Sequence, residues 1–303
     1  MQSESTMLNV NVEEIQLPLA HITLAAKRYG HADKPVILAL HGWLDNADSF
    51  VPLAHAFAQQ KLFDKFQLVC IDWPGHGLSD HSPGRYPLHW VDYIYDLQAV
   101  IHTLSQDTGP IILLGHSLGG IIASAYNACL AENIHKLILI EALAPLSESA
   151  SKAKDRLRKG LLQQQRFNRQ VTRDSSTYSS MDLAVQARHK LTGLAIPWCE
   201  LITKRNMAIT DGQYHWRSDP RLKLDSLNRF SFEQVDALMS TSNTSTLLMV
   251  GHDGYKHLTA STEQANKWFS NIEIIQLSGD HHLHMGNAYR VAESIGAFIL
   301  NRQ

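Results

Sequence analysis

The chain lacks any apolar run near the roughly twenty residues that a helix needs to cross a bilayer. It is also short of cysteine: Cys70, Cys129 and Cys199 are the three in 303 residues, an odd set set far apart. That spacing offers no disulfide framework. Free thiols, two of them in apolar surroundings, suit a reducing compartment. Excess charge of either sign is missing too, with 27 Lys and Arg against 29 Asp and Glu and a net charge of −2. Such a balance gives no electrostatic reason to expect nucleic acid as a partner. Residues 1–14 are polar and acidic, without the basic and apolar segments of a secretory leader. These absences predict a cytoplasmic protein with no membrane span. Repeats and low-complexity tracts are absent as well.

What is present is a packed alternation of strands and helices. A hydrophobic content of 44% supports a folded globule over a disordered chain. Residues 35–40, 66–71 and 111–114 are short runs, apolar almost throughout and bounded by Gly and Pro. Runs of that kind suit strands buried on both faces of a parallel sheet. Residues 10–16 and 21–29 read as an antiparallel opening pair joined at Leu17-Pro18. Helices are expected near 50–60, 88–104 and 118–130, with a further core strand at 136–140. The alternation argues for a parallel sheet covered on both faces.

Residues 147–227 break that pattern. They carry helix-forming stretches around 152–169, 181–191 and 197–207, then a turn-rich part at 211–225, with no obvious core strand. The core resumes with a helix at 231–239, strands at 246–250 and 272–277 with a helix at 261–269 between them, and a last helix at 289–300.

The most informative stretch is Gly115-His116-Ser117-Leu118-Gly119, directly after the apolar run 111–114. It matches G-x-S-x-G, a tight strand-to-helix turn that pushes a serine hydroxyl out of the sheet edge. The helix that follows points its amide-rich N-terminus at the same place, where negative charge develops in acyl transfer. Two further motifs lie upstream: His41-Gly42-Trp43 after one core run, and Asp72-Trp73-Pro74-Gly75-His76-Gly77-Leu78-Ser79 after the next.

In this order and spacing the three motifs resemble the α/β-hydrolase superfamily. His41 to Asn46 with Ala47 to Phe50, Gly75 to Ser79, and Gly279-Asp280-His281-His282-Leu283-His284-Met285 resemble, more narrowly, the serine hydrolase-like group. The resemblance implies the α/β-hydrolase fold: a mostly parallel central sheet, helices on both faces, and a helical lid inserted after the sixth strand. The core domain is then 1–146 with 228–303, and the lid 147–227.

It also implies roles. Ser117 is the nucleophile. The base lies in the loop after the last strand, and the first histidine there is His281. His284 fits a second pattern position, and His282 is expected to point elsewhere. His281, His282 and His284 have no carboxylate or thiol ligand set tied to them in sequence, so no metal and no cofactor is expected. Two carboxylates compete to orient His281. Glu141 ends an apolar strand, where an unpartnered charge is expensive, and residues 140–145 resemble the segment from which certain haloalkane dehalogenases draw a Glu. Asp253 lies in the commoner superfamily position but one residue early, where the usual motif has its Asp at the place of Gly254. The amides of Trp43 and Leu118 are the implied oxyanion hole. The Trp43 side chain either lines the acyl pocket or simply packs. Asp45 and Asn46 read as a turn, His76 and His116 as loop- and elbow-packing residues. The basic run from Lys152 to Arg173 reads as a solvated lid face.

The function implied is a serine hydrolase working through an acyl-enzyme on a small-molecule substrate, a carboxylic-ester hydrolase acting on a small or medium apolar ester. Thioester cleavage, carbon–carbon bond hydrolysis or cofactor-free perhydrolysis would use the same residues. Ser117 argues against dehalogenase or epoxide hydrolase chemistry, which needs a carboxylate nucleophile in this fold. A ligand-binding protein that lost the reaction is the alternative of another class. Such a protein ordinarily loses its Ser or His, and both stand here.

Overall fold

The computed structural model describes residues 10–170, 177–256 and 262–300. Its strands are β1 (Val12–Pro18), β2 (Thr23–Tyr29), β3 (Val36–Leu40), β4 (Gln67–Ile71), β5 (Ile111–His116), β6 (Ile134–Ile140), β7 (Thr177–Tyr178), β8 (Met207–Thr210), β9 (Gln213–Trp216), β10 (Thr246–Gly251) and β11 (Ile272–Leu277). Eight of them form one sheet in the order β1-β2-β4-β3-β5-β6-β10-β11. The β1–β2 and β2–β4 pairs are antiparallel, and every other pair in that sheet is parallel.

The central strands are aliphatic because both of their faces are covered. Every residue of β3, β4, β5 and β10 is buried. Their side chains alternate between two cores, as the two-residue period of a strand requires. Leu38, Val69, Leu113, Leu139 and Leu248 face one core with Leu97, Ile101 and Ile122. Ile37, Leu68, Leu114, Ile138 and Leu247 face the other with Leu53, Phe57 and Ile295. The first core is closed by α2 (Asp92–Thr108), α3 (Leu118–Cys129) and α7 (Phe232–Met239); the second by α1 (Val51–Gln59) and the last helix, Ala288–Leu300.

The expected elements form with modest shifts. The opening strand runs through Pro18 and turns afterwards, where Leu19 N–H donates to Ile22 O at 2.8 Å. Proline is tolerated there because β1 is an edge strand. Helix α2 starts at Asp92, whose carboxylate accepts the His89 N–H at 2.8 Å, and runs on until Gly109 ends it at φ 75°.

Between β6 and α7 lie α4 (Ala153–Gln170), α5 (Met181–Thr192) and α6 (Ile196–Asn206), as the helical pattern predicts. A small sheet of order β7-β9-β8 accompanies them, and the sequence reading missed it. The signal was there: Asp211 and Gly212, both at positive φ (50° and 73°), join β8 to β9, and Asp-Gly is a strong two-residue hairpin signal.

Polar bonds fasten this insertion to the core. From α6, Arg205 Nε reaches both Asp72 oxygens at 3.1 and 2.8 Å, while its two Nη atoms take the Glu14 carboxylate at 2.7 and 3.0 Å. Asn206 Oδ1 accepts the Gly77 N–H at 2.8 Å, and Asp219 N–H donates to Gly75 O at 2.8 Å. The Asp72–Ser79 motif is therefore a docking platform as well as a turn. No helix among the described residues is long and apolar enough to cross a membrane.

Candidate functional site

The parallel strands β3, β5, β6 and β10 end along one edge, and the loops leaving them carry the motif residues. Ser117 follows β5 at φ 51°, ψ −116°. A β-carbon residue costs energy at that φ, and such strain gathers at functional sites. The flanking glycines are required by contact. A β-carbon at position 119 would collide with the Leu40 carbonyl oxygen, so α3 can approach β3 only with glycine there.

Glu141 follows β6 and also holds positive φ, 52°. Its carboxylate is buried. Oε1 accepts the Gly251 N–H at 2.7 Å, and Oε2 accepts the Tyr255 N–H at 3.1 Å. His281 Nδ1 lies 3.3 Å from the same Oε2. Burial opposes the Glu141 charge, but the bonds from His281, Gly251 and Tyr255 outweigh it and hold the carboxyl below its usual range. A β-carbon at position 254 would collide with this carboxylate. The space an acid at 254 would need is taken by Glu141, which gives a physical reason for glycine at that position. Asp253 is exposed; its backbone N–H donates to Gly279 O at 3.0 Å, and among the described residues its carboxylate has no hydrogen bond or ion pair.

Ser117 and His281 line one cavity of about 510 Å³, together with Trp43, Asp45, His116, Arg188, Asp253 and His282. Among the described residues no hydrogen bond joins the two side chains. The Tyr255 ring packs against His281 with centroids 4.2 Å apart. A second cavity, about 380 Å³, meets the first at Trp43 and Ser117; Leu88, Trp90, Tyr93, Leu118, Ile121 and Leu146 form one wall, and Arg221, Lys223, Asp225 and Arg229 stand on the other. The Trp43 side chain lines both cavities and donates from Nε1 to Leu222 O of the insertion at 2.9 Å. Among the described residues, the N–H groups of Trp43 and Leu118 have no acceptor.

Around this centre the structural residues behave as expected. His76 accepts the Leu44 N–H at Nε2 (3.1 Å) and faces Pro74 O with Nδ1 (3.0 Å), pinning two loops together. Asn46 accepts the Asp48 N–H at 3.0 Å and so starts the next short turn. His282 turns to Asp45 and not to Glu141. Its Nε2 lies 3.3 Å from Asp45 Oδ2, and Arg188 Nη2 holds Asp45 Oδ1 at 2.7 Å. Burial opposes the Asp45 charge, yet His282 and Arg188 keep this carboxyl well below its usual range. Burial likewise opposes charge on His282, and Asp45 more than offsets it, raising His282. A carboxylate is thus tied to the histidine cluster after all. Asp45, His116, Arg188 and His282 come from four distant parts of the chain, and no local spacing announces them.

The comparisons with known proteins agree with this architecture. The model of the alpha/beta hydrolase fold family matches residues 35–288, and the chain belongs to that family. It resembles the serine hydrolase-like proteins within it. A serine hydrolase-like protein of Danio rerio is 25% identical over 306 residues, covering 97% of this chain and 90% of the relative. A probable serine hydrolase of Drosophila melanogaster is 26% identical, covering 95% and 87%. Among solved structures, a hypothetical protein of Pseudomonas aeruginosa PAO1 superposes with a TM-score of 0.85 at 31% identity, covering 95% of this chain and all of the other.

Proposed function

We propose that this protein is a serine hydrolase acting through an acyl-enzyme, and that its substrates are carboxylic esters of small or medium apolar acids. The observation that carries the reading is the His281–Glu141 pair opening onto the cavity that holds Ser117 in its strained turn. With Nδ1–H donated to Glu141, His281 presents Nε2 as a base. In this reading Ser117 Oγ attacks the carbonyl carbon as its proton passes to Nε2. The carbonyl electron pair moves onto oxygen, where the Trp43 and Leu118 amides receive it. Collapse expels the alcohol, which takes the proton back from His281. Water then adds to the acyl group by the same route and releases the acid.

The wall of Leu88, Trp90, Ile121 and Leu146 in the second cavity suits an apolar acyl chain, with the alcohol in the first cavity. Residues 147–227 act as a lid over the strand ends on the core of 1–146 and 228–303, with Trp43 and Leu222 at the seam. The free thiols of Cys70, Cys129 and Cys199 fit a cytoplasmic setting. The test is a panel of p-nitrophenyl esters beside a fluorophosphonate probe. The wild-type protein is expected to hydrolyse the esters and take the label. Ser117→Ala is expected to lose on the order of a millionfold in turnover and all labelling, with an unchanged circular dichroism spectrum. Labelling that persists in Ser117→Ala would overturn the assignment.

A further inference from the structure

His116 stands at the end of β5, fully buried, with its two ring nitrogens in opposite situations. Nε2 lies 2.9 Å from the His281 carbonyl oxygen, an acceptor, so Nε2 carries the proton. Nδ1 then holds a lone pair, and it has no hydrogen-bond partner although it is shut away from water. This lone pair faces Asp45 Oδ2 at 3.7 Å, with His282 Nε2 on the same oxygen at 3.3 Å. A lone pair against a buried carboxylate is unfavourable unless a cation lies between them.

We infer that Asp45 Oδ2, His116 Nδ1 and His282 Nε2 form a binding site for one divalent transition-metal ion of the zinc type, separate from Ser117, His281 and Glu141. The three ligand atoms lie within 4.8 Å of one another. Tetrahedral zinc with bonds of about 2.0–2.1 Å sets its ligands about 3.3–3.4 Å apart; two edges here, 3.3 and 3.7 Å, are close to that, and the His116–His282 edge, within 4.8 Å, would close onto the ion. Two imidazoles and one carboxylate are a common zinc donor set.

Space for the ion is kept by Gly42. A β-carbon there would stand 3.0 Å from His116 Nδ1 and 3.2 Å from Asp45 Oδ2. The outer shell is in place as well. Arg188 fixes the other Asp45 oxygen at 2.7 Å, leaving Oδ2 for the ion, and the His281 carbonyl orients the His116 ring. A carbonyl on the far nitrogen of a metal-bound histidine is the usual second partner. All three ligands line the cavity shared with Ser117, so the ion's open position would face that cavity. The His116–His281 bond would link it to the loop of the proposed base.

The experiment titrates chelator-treated protein with zinc by calorimetry and with cobalt by visible absorption, where tetrahedral cobalt gives intense ligand-field bands. One ion per chain is expected, with tetrahedral-type cobalt bands. His282→Gln and Asp45→Asn are each expected to weaken zinc by at least about tenfold and to abolish those bands, while His281→Gln retains both. Asp45→Asn removes the partner of Arg188, so if that variant fails to fold, His282→Gln decides alone. Absence of saturable binding, zinc binding undiminished in His282→Gln, or binding lost in His281→Gln but kept in His282→Gln would each overturn the site.

Discussion

Replacing Glu141 by glutamine removes one charge and almost nothing in shape, yet the donors around it leave the amide no good orientation. The carboxylate meets the Gly251 N–H at 2.7 Å, the Tyr255 N–H at 3.1 Å and His281 Nδ1 at 3.3 Å. An amide has one acceptor oxygen. If that oxygen keeps Gly251, the NH2 group faces both Tyr255 N–H and His281. The imidazole then answers by placing its proton on Nε2, the nitrogen needed as base. If the amide turns the other way, its NH2 opposes the Gly251 N–H in a buried site, at about 1–3 kcal/mol. Either way the NH2 opposes one backbone N–H, and the arrangement that keeps the shorter bond, to Gly251, inverts the tautomer. The equivalent change in serine proteases lowers turnover about ten-thousandfold, which corresponds to about 5.5 kcal/mol of transition-state stabilisation. We expect a similar fall in kcat for Glu141→Gln on a p-nitrophenyl ester, with KM little changed because Glu141 lies beneath His281, away from substrate. Asp253→Asn, whose side chain is exposed and has no partner among the described residues, is expected to stay within a few-fold of wild type. A near-normal Glu141→Gln beside a collapsed Asp253→Asn would refute the reasoning.

Two stability predictions follow from buried charge. Arg205→Met leaves Asp72 buried without its cation; two backbone amides still serve that carboxylate, so the loss is expected at about 3 kcal/mol by urea unfolding, the low end for a broken buried pair. A loss under about 1 kcal/mol would show that the clasp is dispensable. Burial pushes the Asp96 carboxyl up from 3.8 to about 6 against the partial relief of His21. A raised folded-state value means that its contribution is fully present below about pH 4 and is lost as the pH rises through about 6. Asp96→Asn is therefore expected to raise stability by about 1–2 kcal/mol at pH 8, discounted for partial solvent screening, and to change little at pH 4; equal effects at both pH values would contradict this.

Much of this molecule is legible in its sequence, for identifiable reasons. Strands β3, β4, β5 and β10 stood out because burial on both faces demands unbroken apolar runs, and Ser117 because its strained turn demands glycine on either side. The acid was harder. A carboxylate at the end of a strand is a local feature, but its worth depends on whether amides and an imidazole converge on it. That convergence involves residues more than a hundred positions away, Gly251, Tyr255 and His281. The reason for Gly254 became visible only with the Glu141 carboxylate in place. The corner formed by Asp45, His116, Arg188 and His282 had no signature at all, since it exists only where four separate loops and elements meet. The β8–β9 hairpin is different in kind: its Asp-Gly turn is readable, but 211–225 reads as turn-rich with no obvious core strand, and strands of four residues add little pattern to that.

Strands β6 and β10 run parallel and in register, with Ile140 beside Met249, so they finish as adjacent posts about 4.8 Å apart. Glu141, mounted on the first post, takes its amide partners, Gly251 and Tyr255, from the end of the second and the loop beyond it. The support for the histidine is thus a property of the rim and not of one mast. A side chain at position 254 and the carboxylate of Glu141 claim the same space, so occupancy of one closes the other.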